Sequence, residues 1–88
     1  MKPNPNVVAR SVGDELVLVH LQTNRFYSLN RTGARLWELL QTNGDPERLR
    51  RQMLEEFDVD GTHLAVEIET IIRDLTREGL LIENDAQH

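Results

Sequence analysis

The apolar residues of this chain change their spacing at Asn30. Before it, Val7 to Ser11, Glu15 to Leu21 and Arg25 to Leu29 are short runs that predict three strands. Gly13-Asp14 and Gln22-Thr23-Asn24 supply the turns between them. Connections this short predict an antiparallel meander in the order one, two, three. In the third strand Arg25, Tyr27 and Leu29 fall on one face, and Phe26 and Ser28 on the other.

After Asn30 the spacing becomes helical. Asn30 is a suitable N-cap for a helix over roughly Arg31 to Gln41, whose Leu36, Trp37 and Leu40 share a face. That helix should end near Asn43-Gly44, residue types that tolerate a left-handed C-terminal cap. Asp45 as cap and Pro46 at the first helical position open a second helix, with Leu49, Met53, Leu54 and Phe57 on one stripe. A third starts near Gly61, with Asp60 as its cap, and runs to about Glu78, where Gly79 stops it. Its Leu64, Ile68, Ile71, Ile72 and Leu75 form one continuous face. Leu80-Leu81-Ile82 then adds a short strand or packs down. The expected fold class is α+β, winged helix-turn-helix-like: a three-stranded antiparallel sheet followed by three helices. One domain should span residues 1–88, with 1–6 and 84–88 as frayed tails.

Size narrows the function. A chain of 88 residues buries only about 60 to 65 % of the surface its unfolded form exposes, too little for a deep enzyme cleft. There is no Cys, which excludes disulfides, thiolate zinc sites and a thiol nucleophile. The N-terminal Met-Lys-Pro-Asn-Pro-Asn has no apolar run, so no signal peptide is visible, and no stretch approaches the roughly 20 apolar residues of a membrane span. A soluble, cytoplasmic protein without a membrane partner is expected. The net charge of −5 is uneven: residues 52 to 88 carry two Arg against ten acids, whereas residues 25 to 51 carry six Arg against three. An acidic last third disfavours a nucleic-acid partner and permits a basic one.

No catalytic constellation emerges, so the chain is read as not an enzyme and as needing no cofactor. His63 and Glu67 stand one helical turn apart, a spacing open to two metal ligands, but two ligands do not make a site. Asp58-Val-Asp-Gly61 looks like the start of a calcium loop. It fails at the sixth position, where the sharp-turn Gly is replaced by His63, so no metal is expected. Helices two and three could mimic a helix-turn-helix, yet Glu67, Glu69, Asp74 and Glu78 on the would-be reading helix oppose a polyanion.

An edge remains. The third strand has one sequence-adjacent neighbour, and its other edge is free to accept an added peptide strand. From the residues alone, ordinary sheet and core packing is the favoured account of Phe26, Tyr27 and Leu29.

A resemblance decides between these. Phe26-Tyr27-Ser-Leu29-Asn30 leading into Thr32-Gly33 and Leu36-Trp37-Glu-Leu-Leu40, the Phe57-Asp-Val-Asp60 junction and the ending Leu75 to Leu81 with Gly79 resemble the PqqD-like family over about residues 12 to 82. These are small domains that bind leader peptides of ribosomally made, modified peptides, and the stand-alone version of lasso-peptide pathways is the most similar. His20 departs from the aliphatic residue usual at its place. The resemblance implies a leader peptide lying antiparallel on the third strand, in a cleft closed by the third helix. Carried over, Arg25, Phe26, Tyr27, Ser28 and Leu29 form the docking strand, and Leu64, Ile68, Ile71 and Leu75 the opposite wall. Glu67 and Asp74, with Glu78, form an acidic rim beside that wall. The implied partners are the precursor's leader, a separate leader peptidase and a separate ATP-dependent cyclase. The alternatives are a leader-binding chaperone for a radical-enzyme pathway and a winged-helix DNA-binding module.

Overall fold

The computed structural model describes residues 1–42, 44–57 and 61–82. Its elements are β1 (Lys2–Pro3), β2 (Val7–Val12), β3 (Glu15–His20), β4 (Arg25–Leu29), α1 (Arg31–Leu40), α2 (Pro46–Glu56), α3 (Gly61–Arg77) and β5 (Leu81–Ile82). The meander is the expected one: β2, β3 and β4 pair antiparallel in chain order, with Leu18 opposite Tyr27 and Leu16 opposite Leu29. Gly13 at φ +62° opens the β2–β3 turn, the first-position conformation of a tight hairpin that a side chain would strain. Asn24 at φ +61° closes the β3–β4 turn, where its N–H donates to the His20 carbonyl at 2.7 Å.

The strand-to-helix switch at Asn30 has a physical cause. Its side-chain oxygen accepts from the Gly33 N–H at 2.9 Å, satisfying one of the donors that the first turn of α1 leaves open. Gly33 also lets this turn lie on the sheet, because a Cβ there would stand 2.9 Å from Leu29 Cδ2. Asp45 caps α2 in the same way through the Glu47 N–H, at 3.1 Å, with Pro46 at the helix start. α1 ends at Leu40 with Gln41 as its C-cap in right-handed conformation. Gly44 lies against Met1, whose amino group donates to its carbonyl at 3.3 Å. Asn43, and Asp58 and Asp60 of the supposed cap and calcium loop, lie outside the described residues.

α1 packs on β3 and β4, and α2 and α3 pack against α1 and against each other. Leu18, Leu36, Leu49, Met53, Leu64, Ile68, Leu75 and Leu81 are fully buried, and Trp37 and Leu40 close the core around them. Two residues of the expected α2 stripe behave otherwise: Leu54 is 41 % exposed and Phe57 only half-buried, because α2 spends its inward turn on Leu49 and Met53.

Of the two expected tails, residues 1–6 carry the short strand β1, and 84–88 lie outside the described residues. β1 pairs with β5, Lys2 opposite Ile82, and the Asn4 N–H donates to the Leu80 carbonyl at 2.9 Å. The Asn4 amide also donates to the Gly79 carbonyl at 2.9 Å while its oxygen accepts from the Asn6 N–H at 2.9 Å. His20 is buried beneath this staple, and its Nδ1 accepts from the Gln22 N–H at 3.2 Å. A polar ring takes the aliphatic place because its buried nitrogen has a donor to satisfy it.

Candidate functional site

With the order β2-β3-β4, the outer edge of β4 has no strand beside it among the described residues. β2 is the opposite edge and is mostly exposed. What distinguishes β4 is a wall. α3 runs alongside it, and between them lies an open groove of about 600 Å³. The sheet side is lined by Tyr27, Ser28, Leu29, Asn30 and, from the neighbouring strand, Glu15. The helix side is lined by His63, Val66, Glu67, Thr70 and Ile71, spaced three and four apart along one face. Main-chain groups at the strand edge and apolar carbon from Val66 and Ile71 give what an extended peptide needs: ladder partners and anchoring surface.

The seam is tied at several points. The Tyr27 hydroxyl donates to Asp74 Oδ2 at 3.3 Å, and Asp74 Oδ1 accepts from Arg77 at 3.0 Å. Arg25 pairs with Glu78 at 3.2 Å. At the other end the Asn30 amide donates to Glu67 at 3.3 Å. The groove thus opens beside the first turns of α3, whose residues line it, while the Tyr27–Asp74 and Arg25–Glu78 ties join the walls beside its last turns. Burial pushes the Tyr27 phenol above the usual tyrosine range, and the Asp74 carboxylate pushes it further the same way.

The expected docking residues divide. Tyr27, Ser28, Leu29, Glu67 and Ile71 meet in the groove. Leu64, Ile68 and Leu75 do not reach it: at 2 %, 0 % and 0 % exposure they face the core, one helical turn-face away. Phe26 is 73 % exposed on the reverse face of the sheet, beside Val19. Arg25 and Asp74 are held in the ties just described rather than in the lining. Five groove residues, Glu15, Asn30, His63, Val66 and Thr70, were not among the expected docking residues. Glu15 could have been found from the strand register, since its neighbour Leu16 stands opposite Leu29, and His63 from its three- and four-residue steps to Val66 and Glu67.

A second depression of similar size lies between α1 and α2, but Arg35 bridges it to Glu56 at 2.7 and 2.8 Å and to Glu38 at 3.0 Å. Those bonds hold the Glu56 carboxyl below the usual carboxylate range. Among the described residues no group of three or more His, Cys, Asp or Glu converges as a metal would require, and no helix is long and apolar enough to cross a membrane.

The family model of coenzyme PQQ synthesis protein D (PqqD) matches residues 15–81. The chain belongs to the PqqD family. Two solved structures share the fold. One is TbiB1 in complex with the TbiA(beta) leader peptide, 32 % identical, covering 96 % of this chain and 98 % of that one with a TM-score of 0.82. The other is lasso peptide synthetase B1 complexed with its leader peptide, 18 % identical, covering 93 % and 96 % with a TM-score of 0.78. No curated protein matches significantly. The matched PqqD segment runs from Glu15 in β3 to Leu81 in β5, so it contains both walls of the groove.

Proposed function

We propose that this PqqD-family chain binds the leader segment of a ribosomally made precursor peptide in lasso-peptide biosynthesis, by strand addition to β4. The observation that carries this reading is the free β4 edge facing the α3 wall, in a chain 32 % identical over nearly its full length to TbiB1, whose structure contains a leader peptide. In this reading the domain performs no bond chemistry. It raises the effective concentration of the attached core segment near a separate leader peptidase and a separate ATP-dependent cyclase. The leader loses conformational freedom on docking, at about 2 to 5 kcal/mol of the gross interaction. Val66 and Ile71 supply apolar contact to offset it.

Titration of the purified chain with the TbiA(beta) leader and with leaders encoded near its own gene tests the proposal. Saturable one-to-one binding is expected; the absence of binding to every leader would overturn it. Reconstitution with a lasso peptidase and cyclase, against a radical enzyme, then separates the two pathway readings. A gel shift at low salt should show no saturable duplex binding, since the groove side of α3 presents carboxylates.

A further inference from the structure

Resting on the reading that the groove takes a peptide, we infer that its open end selects a basic side chain, with Glu67 and Glu15 as the specificity-determining residues. The argument is the unequal treatment of the acids along one seam. Glu78 is neutralised by Arg25, and Asp74 by Arg77 together with the Tyr27 hydroxyl. Among the described residues Glu67 has only the amide of Asn30, whose oxygen is already committed to the Gly33 N–H. Neither Glu67 nor Glu15 is in an ion pair among the described residues, and no Lys or Arg lines the groove.

Both residues line the groove at the Leu29 end of β4, Glu67 from α3 and Glu15 from β3. A Lys or Arg at that register would exchange Glu67's neutral hydrogen bond for a charge-assisted one and would compensate Glu15 as well. The closed end offers no such exchange, because its acids already hold cations. A peptide with its basic residue near one end of the docked segment is thereby held in one strand direction. Glu15 is exposed and Glu67 half-buried in an open groove, so the selection acts more on association rate and orientation than on equilibrium affinity.

A lysine scan of the TbiA(beta) leader tests this, with association followed by stopped-flow anisotropy at low and high salt. One position, or two adjacent same-face positions, near one end of the docked segment should speed association about 3- to 10-fold at low salt, falling below about 2-fold at high salt. The gain should vanish in the Glu15→Gln/Glu67→Gln double variant, shrink in each single variant, and survive in Glu69→Gln, whose carboxylate pairs with Arg50. Equal acceleration at every scanned position, or a gain that persists in the double variant, would mean attraction by net charge alone and overturn the inference. Loss of binding by all peptides to the unmodified chain would instead remove the leader-binding reading beneath it.

Discussion

α3 carries two apolar faces that differ in duty. Leu64, Ile68 and Leu75 are sealed in the core, whereas Val66 and Ile71, with His63, Glu67 and Thr70, face the groove beside β4. At about 100° per residue Leu64, Ile68, Ile71, Ile72 and Leu75 span about 100° of arc, and Glu67, His63, Thr70 and Val66 continue round the helix from the Ile71 border of that stripe. The border of an apolar stripe therefore serves a second surface. Ile71 packs against the core and lines the groove as well.

Four measurements can break or sharpen that contrast. The largest effect is expected from Ile68→Ala, which leaves a cavity at a site with 0 % exposure and should cost about 2 to 5 kcal/mol in urea unfolding. A loss below about 1 kcal/mol would show that Ile68 does not belong to the sealed face.

Ile71→Ala should reverse the pattern. It is half-buried and lines the groove, so leader binding should weaken by about 1 kcal/mol or more, with a smaller change in folding stability than Ile68→Ala. Unchanged affinity in a folded variant would detach α3 from the binding surface.

Tyr27→Phe tests the tie between the two walls, at an expected cost of about 0.5 to 1.5 kcal/mol. Its pH dependence has a defined sign. The folded phenol has a raised pKa, so its contribution is fully present below about pH 10, the ordinary tyrosine value, and is lost as pH rises through the folded pKa. Tyr27 is the chain's single tyrosine, so phenolate absorbance reads this group alone. The midpoint should lie above that of the urea-unfolded chain. Asp74→Asn should bring it part of the way back, because burial is the larger cause. Coincident folded and unfolded midpoints would mean that the tie does not form.

The smallest effect is expected from Phe26→Ala. Its ring is 73 % exposed on the reverse face, so leader affinity should change by less than about 0.5 kcal/mol. A loss above about 1 kcal/mol would place the peptide, or part of it, across the outer sheet face.

Most of the architecture was legible because its signals are local. The two-residue period located β4 at Arg25–Leu29, and Asn30 and Asp45 announced their helices through cap chemistry. Period-two alternation also put Tyr27 and Leu29 opposite Phe26. It did not say which side α3 would cover, so all three were carried into the docking strand. The β1–β5 pair was invisible for another reason: a two-residue strand that includes a proline has no period, and its partner is almost a chain length away. The site was half legible. Residues of β4 follow from the free edge, but Glu15 enters only through pairing register. The separation of Ile71 from Ile68 requires knowing where the neighbouring strand ends.

The β1–β5 staple has a kinetic corollary. Pairing Pro3 with Leu81 closes nearly the whole chain into a loop, and only a few backbone bonds and the Asn4 amide reward that closure. Loop entropy makes such a contact late to form, after the meander and the α1 cap, whose partners are near in sequence. It should equally be among the earliest to open. In native-state hydrogen exchange the Asn4 amide should therefore exchange through local opening, well before the global unfolding that releases the central amides of β3.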